Sequence, residues 1–147
     1  MEKVKIKITM ELLSDTILGS GYSIPGGHDI SSNKDADGYP YVKSTVLKGL
    51  LRESTENFIV WTKDDYDKLV KLFGEGGWSE TDEEGRLRVE PLFLVSPPND
   101  SKQCFSERIF TSINECGVSK SASLRSAECI RSGLKFQGNI LCPKNYS

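Results

Sequence analysis

Val4, Ile6, Ile8 and Met10 alternate with Lys3, Lys5, Lys7 and Thr9. A strict period of two predicts a half-buried strand with a basic outer face. That lysine face reads either as a solvated surface or as a sheet edge turned toward RNA. After Leu12 and Leu13 the alternation dissolves into Gly19-Ser20-Gly21, Pro25-Gly26-Gly27-His28-Asp29 and Asp35-Ala36-Asp37-Gly38-Tyr39-Pro40. Glycine, proline and Asx residues at that density predict an irregular loop. A loop this long in a small domain reads as functional.

Ser44 or Thr45 can cap a helix, and Val46, Leu47, Leu50 and Leu51 recur behind them at helical spacing, with Phe58 assigned to the same face. Lys48 and Arg52, four apart, share one face near the helix start. A second helix is predicted over residues 63–73, with Tyr66, Leu69, Val70 and Phe73 as its stripe and Gly74 as its stop. Residues 75–86 are acidic and glycine-bearing, a loop. Leu87, Val89 and Leu92-Phe93-Leu94-Val95 predict one strand ended by Pro97-Pro98. Residues 108–113 and 134–141 predict two more, separated by a poorly periodic stretch over 114–132. Strand, loop, two helices, then strands predicts an α+β fold with an antiparallel sheet.

At 147 residues the chain fits one domain with a real core. No apolar run is long enough to span a bilayer, and the N-terminus lacks a signal peptide's apolar stretch. The expected location is cytoplasmic, with cysteines as reduced thiols. The net charge of −2 argues against indiscriminate coating of nucleic acid. Its distribution is uneven: residues 1–52 carry +1, residues 53–101 carry −7 and residues 102–147 carry +4.

Cys104, Cys116, Cys129 and Cys142 form no close pair, so isolated thiols are favoured over a zinc site, although thiols on neighbouring strands leave zinc open. His28, the one histidine, could serve as an acid–base group beside Asp29 or simply be exposed. Glycine lets backbone N–H groups approach phosphate closely, so Gly19, Ser20, Gly21 and Gly27, with His28, are candidate phosphate contacts. Lys48 and Arg52 at a helix start strengthen that reading. Neither a P-loop nor a dinucleotide fingerprint is present.

Residues 17–53, ILGSGYSIPGGHDISSNKDADGYPYVKSTVLKGLLRE, resemble the N-terminal signature of the RAMP superfamily, the subunits of CRISPR effector complexes. The resemblance is greatest to backbone subunits of type III complexes. It runs through Gly19, Gly21, Gly27, Asp29, Asp35, Gly38, Pro40, Leu47, Lys48, Gly49 and Arg52. It continues in Leu72-Phe73-Gly74, Arg86-Leu87-Arg88-Val89, a thumb-like region from Ile109 to Glu128, and Gly133, Phe136, Gly138 and Ile140. One departure is Val42-Lys43-Ser44-Thr45-Val46, where relatives present a proline and a glycine. Relatives also continue past the last strand. The resemblance therefore implies one RAMP domain over 1–147, an RRM-like, ferredoxin-like sheet with helices on one face, a thumb-like insertion and missing C-terminal elements.

What the resemblance implies for function is guide-RNA binding and RNA-guided antiviral defence. The glycine loop, Lys48, Arg52 and Arg125 would grip RNA. Asp29, with five residues between it and Asp35, would promote Mg²⁺-dependent cutting of target RNA as an endoribonuclease site. Attack by a 2′-hydroxyl builds charge that a carboxylate-held Mg²⁺ offsets. The implied partners are guide RNA, target RNA, other effector subunits and further copies of the chain, with no membrane. Two alternatives stand beside it. In one the chain is a non-catalytic scaffold or capping subunit with Asp29 as a turn residue; in the other it is a protein-only assembly module.

Overall fold

The computed structural model describes residues 2–21, 26–62, 66–74, 86–110, 117 and 124–146. In chain order it contains β1 (Lys3–Glu11), β2 (Tyr41–Val42), α1 (Ser44–Thr62), α2 (Tyr66–Phe73), β3 (Arg88–Val89), β4 (Leu92–Leu94), β5 (Phe105–Phe110), β6 (Arg125–Ile130) and β7 (Lys135–Pro143). Short 3-10 turns cover Ser101–Cys104 and Lys144–Tyr146. One sheet has the order β1-β7-β4-β2, with β3 also paired to β7, and β5 and β6 form a second. The last long strand is thus inserted between β1 and β4. That is the split βαβ order of a ferredoxin-like sheet. The α+β class predicted from the pattern is the class observed.

Contacts divide the chain into two compact units, each assembled from segments distant in sequence. Unit 1 comprises Met1–Thr9, Val42–Leu92 and Gln137–Ser147; unit 2 comprises Met10–Tyr41 and Phe93–Phe136.

In unit 1, Leu87, Ile140 and Cys142 form a buried cluster against which Ile8, Leu51, Phe73 and Val89 pack. One face of the strands thereby meets both helices. α1 starts at Ser44, and Leu47 N–H bonds to the Lys43 carbonyl, so Lys43 holds the cap position expected of Ser44 or Thr45. Leu47 and Ile59 are its buried residues. Leu51 and Thr55, half-buried, complete a row at four-residue intervals. Phe58, assigned to that stripe from spacing, is 58% exposed instead, because it sits roughly 100° around the helix from Ile59. β1 is less covered than its alternation predicts: Ile8 joins the cluster, but Val4 and Ile6 remain 36% and 44% exposed.

α2 ends as predicted. Gly74 adopts φ 82°, its N–H bonds to the Val70 carbonyl, and residues 63–65 lie outside the described residues. The single strand predicted over 87–95 is two. β3 pairs with β7 in antiparallel register, Arg88 with Leu141 and Val89 with Ile140. Glu90 N–H then bonds to Asn139 O, and Val95 N–H bonds to Lys135 O. One strand thus spends a residue more than β7 over the same length, a bulge at Pro91, which has no N–H to give the ladder. Gly138 faces it. A β-carbon there would lie 2.5 Å from Leu92 Cδ2 and 2.7 Å from the Pro91 carbonyl oxygen. Only glycine fits.

In unit 2, β5 and β6 pair antiparallel from Phe105–Ile130 to Phe110–Arg125. β6 falls inside the stretch read as aperiodic, and the thumb-like residues 111–116 and 118–123 lie outside the described residues. Ala127, Cys129, Ile130, Cys104 and Phe136 are buried here. The long segment before β2 is no irregular loop. Thr16 bridges Ile130, Gly19 bridges Ser32, Ile30 bridges Ala127 and Lys34 bridges Pro40.

Candidate functional site

Unit 2 holds the Asp29 region. Ser20 N–H bonds to Ser31 O at 2.8 Å and Asn33 N–H to Leu18 O at 3.2 Å, a short two-stranded stem below the glycine tip. Gly21 and Gly26 adopt φ of 82° and 79°, which side chains rarely allow. Residues 22–25 lie outside the described residues, whereas Gly27 is exposed. Leaving the tip, the chain runs parallel to β6: Ile30 N–H bonds to Ser126 O, and Glu128 N–H bonds to Ile30 O. Asp29 Oδ2 accepts the Ser126 N–H at 2.8 Å, while the residue stays exposed. Its carboxylate is held at the edge of a strand and still open to solvent.

The neighbours are polar and mostly paired. His28 Nδ1 lies 3.6 Å from Glu107 Oε1, an ion pair when the imidazole is protonated but too long for a hydrogen bond. Lys34 Nζ bonds to Glu128 Oε2 at 2.9 Å and sits 4.8 Å over the Phe105 ring. Ser32 N–H donates to Glu128 Oε1 and Ser32 Oγ donates to the Glu128 carbonyl. His28, Lys34, Phe105, Glu107 and Glu128, with Lys102 and Arg131, border a cavity of about 560 Å³. Glu107, Ser126 and Glu128 were not legible as site residues, since only strand pairing brings them to the loop. Arg125 is exposed at the start of β6, opposite Phe110.

Asp35 belongs to a turn. Its Oδ1 accepts N–H groups from Asp37 and Tyr39 at 3.0 and 2.9 Å, and Gly38 takes φ 85°. Asp15 resembles it in kind: its carboxylate accepts the Ser132 N–H and the Ser106 hydroxyl, which hold it below its ordinary value of 3.8.

Lys48 and Arg52, grouped with the glycine loop by sequence, belong to unit 1. Arg52 has a structural task there. Nη1 donates to the Gly74 carbonyl at 2.6 Å and Nε to Glu56 at 3.2 Å. A cation on the Gly74 carbonyl, just past the end of α2, satisfies that acceptor and opposes the helix dipole. Lys48 is half-buried and lines two grooves at the start of α1.

Among the described residues no three His, Cys, Asp or Glu side chains gather to hold a metal. Mg²⁺ does not need such a cage: it commonly takes one or two carboxylates, water and substrate phosphate. Asp29, exposed with one oxygen committed to Ser126, fits that donor set. Burial pushes the thiols of Cys104, Cys129 and Cys142 up, away from the thiolate a metal would require. Cys116 lies outside the described residues.

A ferredoxin-like sheet with helices on one face and a glycine-tipped loop tied to an added hairpin defines an RRM-like class of protein. The RAMP superfamily model matches residues 9–144, and the chain belongs to that superfamily. No curated protein matches it. Among solved structures it is similar to a chain of the type III-B Cmr-beta complex bound to cognate target RNA, with TM-score 0.73 and 12% identity over 96% of this chain and 85% of that one. It is also similar to a chain of the same complex in its apo state, with TM-score 0.70 and 12% identity over 94% and 84%. Among the described residues no helix is long and apolar enough to cross a membrane.

Proposed function

We propose that the chain is an RNA-binding backbone subunit of a type III CRISPR effector in which Asp29 promotes cleavage of target RNA. Guide RNA, target RNA and other effector subunits are the partners in this reading. Membership of the RAMP superfamily and the likeness to Cmr-beta chains support it. The observation that carries the catalytic part is the Asp29 carboxylate, anchored by Ser126 N–H yet exposed beside a glycine tip where RNA backbone can approach. Bound Mg²⁺ would supply charge neutralisation at the phosphate attacked by the neighbouring 2′-hydroxyl. Asp29 would hold the ion, Ser126 would fix the carboxylate, and the tip would admit the phosphate. Val4 and Ile6, exposed on a strand at one end of the sheet order, support association with further copies.

The same hydrogen bond favours a second reading, a scaffold in which Asp29 only pins the loop to β6. Asp29→Asn separates the two, because an amide oxygen still accepts the Ser126 N–H while the charge is gone. In the reconstituted complex with Mg²⁺, catalysis predicts a fall of roughly a hundredfold in cutting of labelled target RNA, with binding retained. Wild-type cutting by Asp29→Asn would establish the scaffold.

A further inference from the structure

Asp29 and Glu128 bracket a single parallel bridge, Ile30 with Ala127, and each reaches across it to the other segment. Asp29 Oδ2 accepts the Ser126 N–H at 2.8 Å, and Glu128 Oε1 accepts the Ser32 N–H at 3.2 Å. The backbone ladder goes no further, because the Ile130 N–H that would continue it donates to the Thr16 carbonyl. A carboxylate takes the place of the next rung. The two acids differ in what remains available on them. Lys34 Nζ holds Glu128 Oε2 at 2.9 Å, and the Glu128 side chain is only 12% exposed. Asp29 has one oxygen committed to Ser126 and is exposed. Ser32 is buried, so its N–H and hydroxyl need partners within the protein; Glu128 serves both, through its carboxylate and its carbonyl. Lys34 also lies 4.8 Å over the ring of Phe105, which extends the hold to β5.

We propose that Glu128 is the positioning residue of the Asp29 site. By holding Ser32 and Lys34 it keeps the loop exit in register on β6, and that register sets where the Asp29 carboxylate stands. The proposal rests on the reading above in which Asp29 promotes cleavage. A glycine-rich segment paired through one bridge specifies its register weakly unless side chains fix it. Removing the Glu128 carboxylate leaves the buried Ser32 N–H unpaired, and the loop exit is stabilised by shifting until that group finds a partner. Asp29, three residues earlier, shifts with it. Misplacement of a reacting group by about 1 Å can cost about a hundredfold in rate. Glu128 itself, covered and paired with Lys34, acts through Asp29 and does not meet the phosphate.

The test compares Glu128→Ala, Glu128→Gln and Asp29→Asn in the reconstituted complex with labelled target RNA. Glu128→Ala should slow cutting at saturating target by roughly ten- to a hundredfold and raise the Mg²⁺ concentration needed for half-maximal cutting, with target affinity unchanged. Glu128→Gln, which keeps an acceptor for the Ser32 N–H, should restore most of the rate. A second readout needs neither Mg²⁺ nor RNA. Hydrogen exchange at the Ser126 amide of the full chain should rise about tenfold in Glu128→Ala and stay unchanged at the Gly74 amide in unit 1. Wild-type cutting by Glu128→Ala, or unchanged exchange at Ser126, would overturn the positioning role, and slow cutting by Asp29→Asn would then keep the catalytic reading. Equal rises at Ser126 and Gly74 would reduce Glu128 to a general contribution to stability, and lost target affinity would make it an RNA contact; either result overturns the proposal. Wild-type cutting by Asp29→Asn removes the catalytic reading itself, and the positioning role falls with it.

Discussion

Asp29 Oδ2 accepts the backbone N–H of Ser126 at 2.8 Å, joining the exit of the glycine loop to a strand 97 residues further along the chain. An exposed carboxylate thus serves as a tie between two segments. It costs the chain stability to lose it, whatever else Asp29 does. Asp29→Ala should lower unfolding stability by about 1 kcal/mol, the scale of one hydrogen bond at an exposed site, and Asp29→Asn by less. Urea unfolding of the three proteins measures both steps.

Asp15 makes stability depend on acid. Its carboxylate accepts the Ser132 N–H first and the Ser106 hydroxyl second, so its folded value lies below the ordinary 3.8. A depressed folded value contributes stability above the unfolded value, and that contribution is lost as pH falls through the folded one. From about pH 5 downward the wild-type urea midpoint should therefore fall more steeply than that of Asp15→Asn. Parallel curves from pH 6 to pH 2 would remove Asp15 from this role.

Gly138→Ala should be strongly destabilising. The added methyl meets the Pro91 carbonyl oxygen at 2.7 Å as well as Leu92 Cδ2 at 2.5 Å, and a bulged backbone has little room to yield. Overpacking of this kind costs about 1–3 kcal/mol. Replacing Gly49, which has nothing near its missing side chain, is the matched control and should raise helix stability slightly. Thermal melting of both variants checks the contrast.

Arg52→Gln should loosen α2 more than it weakens RNA binding. It removes a charged donor 2.6 Å from the Gly74 carbonyl, worth about 1.5–3 kcal/mol when the acceptor is left unpaired. Hydrogen exchange should rise first at the Gly74 amide, whose bond to Val70 closes the helix. An unchanged exchange rate with a lost salt-dependent affinity would return Arg52 to the RNA surface.

Much of the fold was legible in local pattern. The Lys3–Glu11 strand, the start of α1, the Gly74 stop and the last strand follow from periodicity and from glycine's access to positive φ. β6 was not legible, because R-S-A-E-C-I alternates only over Ser126 to Cys129, with small apolar residues at Ala127 and Cys129. It is used on both edges, by β5 on one and by Thr16 and Ile30 through isolated bridges, so its burial is set by partners on all sides. The same pairing turned an apparently irregular glycine-rich segment into a stitched stem.

Sequence by itself determined the helices, the first and last strands, the α+β class and the residues able to do chemistry at the loop, since these depend on neighbours a few positions apart. Tertiary structure decided which candidate does what. Arg52 and Arg86 are both arginines near α2, yet one donates to the Gly74 carbonyl and the other lines a groove with Lys3, Lys48 and Arg88. Asp29 and Asp35 are both loop aspartates, yet Asp35 bonds to its own turn while Asp29 reaches Ser126. A side chain's task depends on which unbonded N–H or carbonyl comes within about 3 Å of it, and long-range pairing sets that distance.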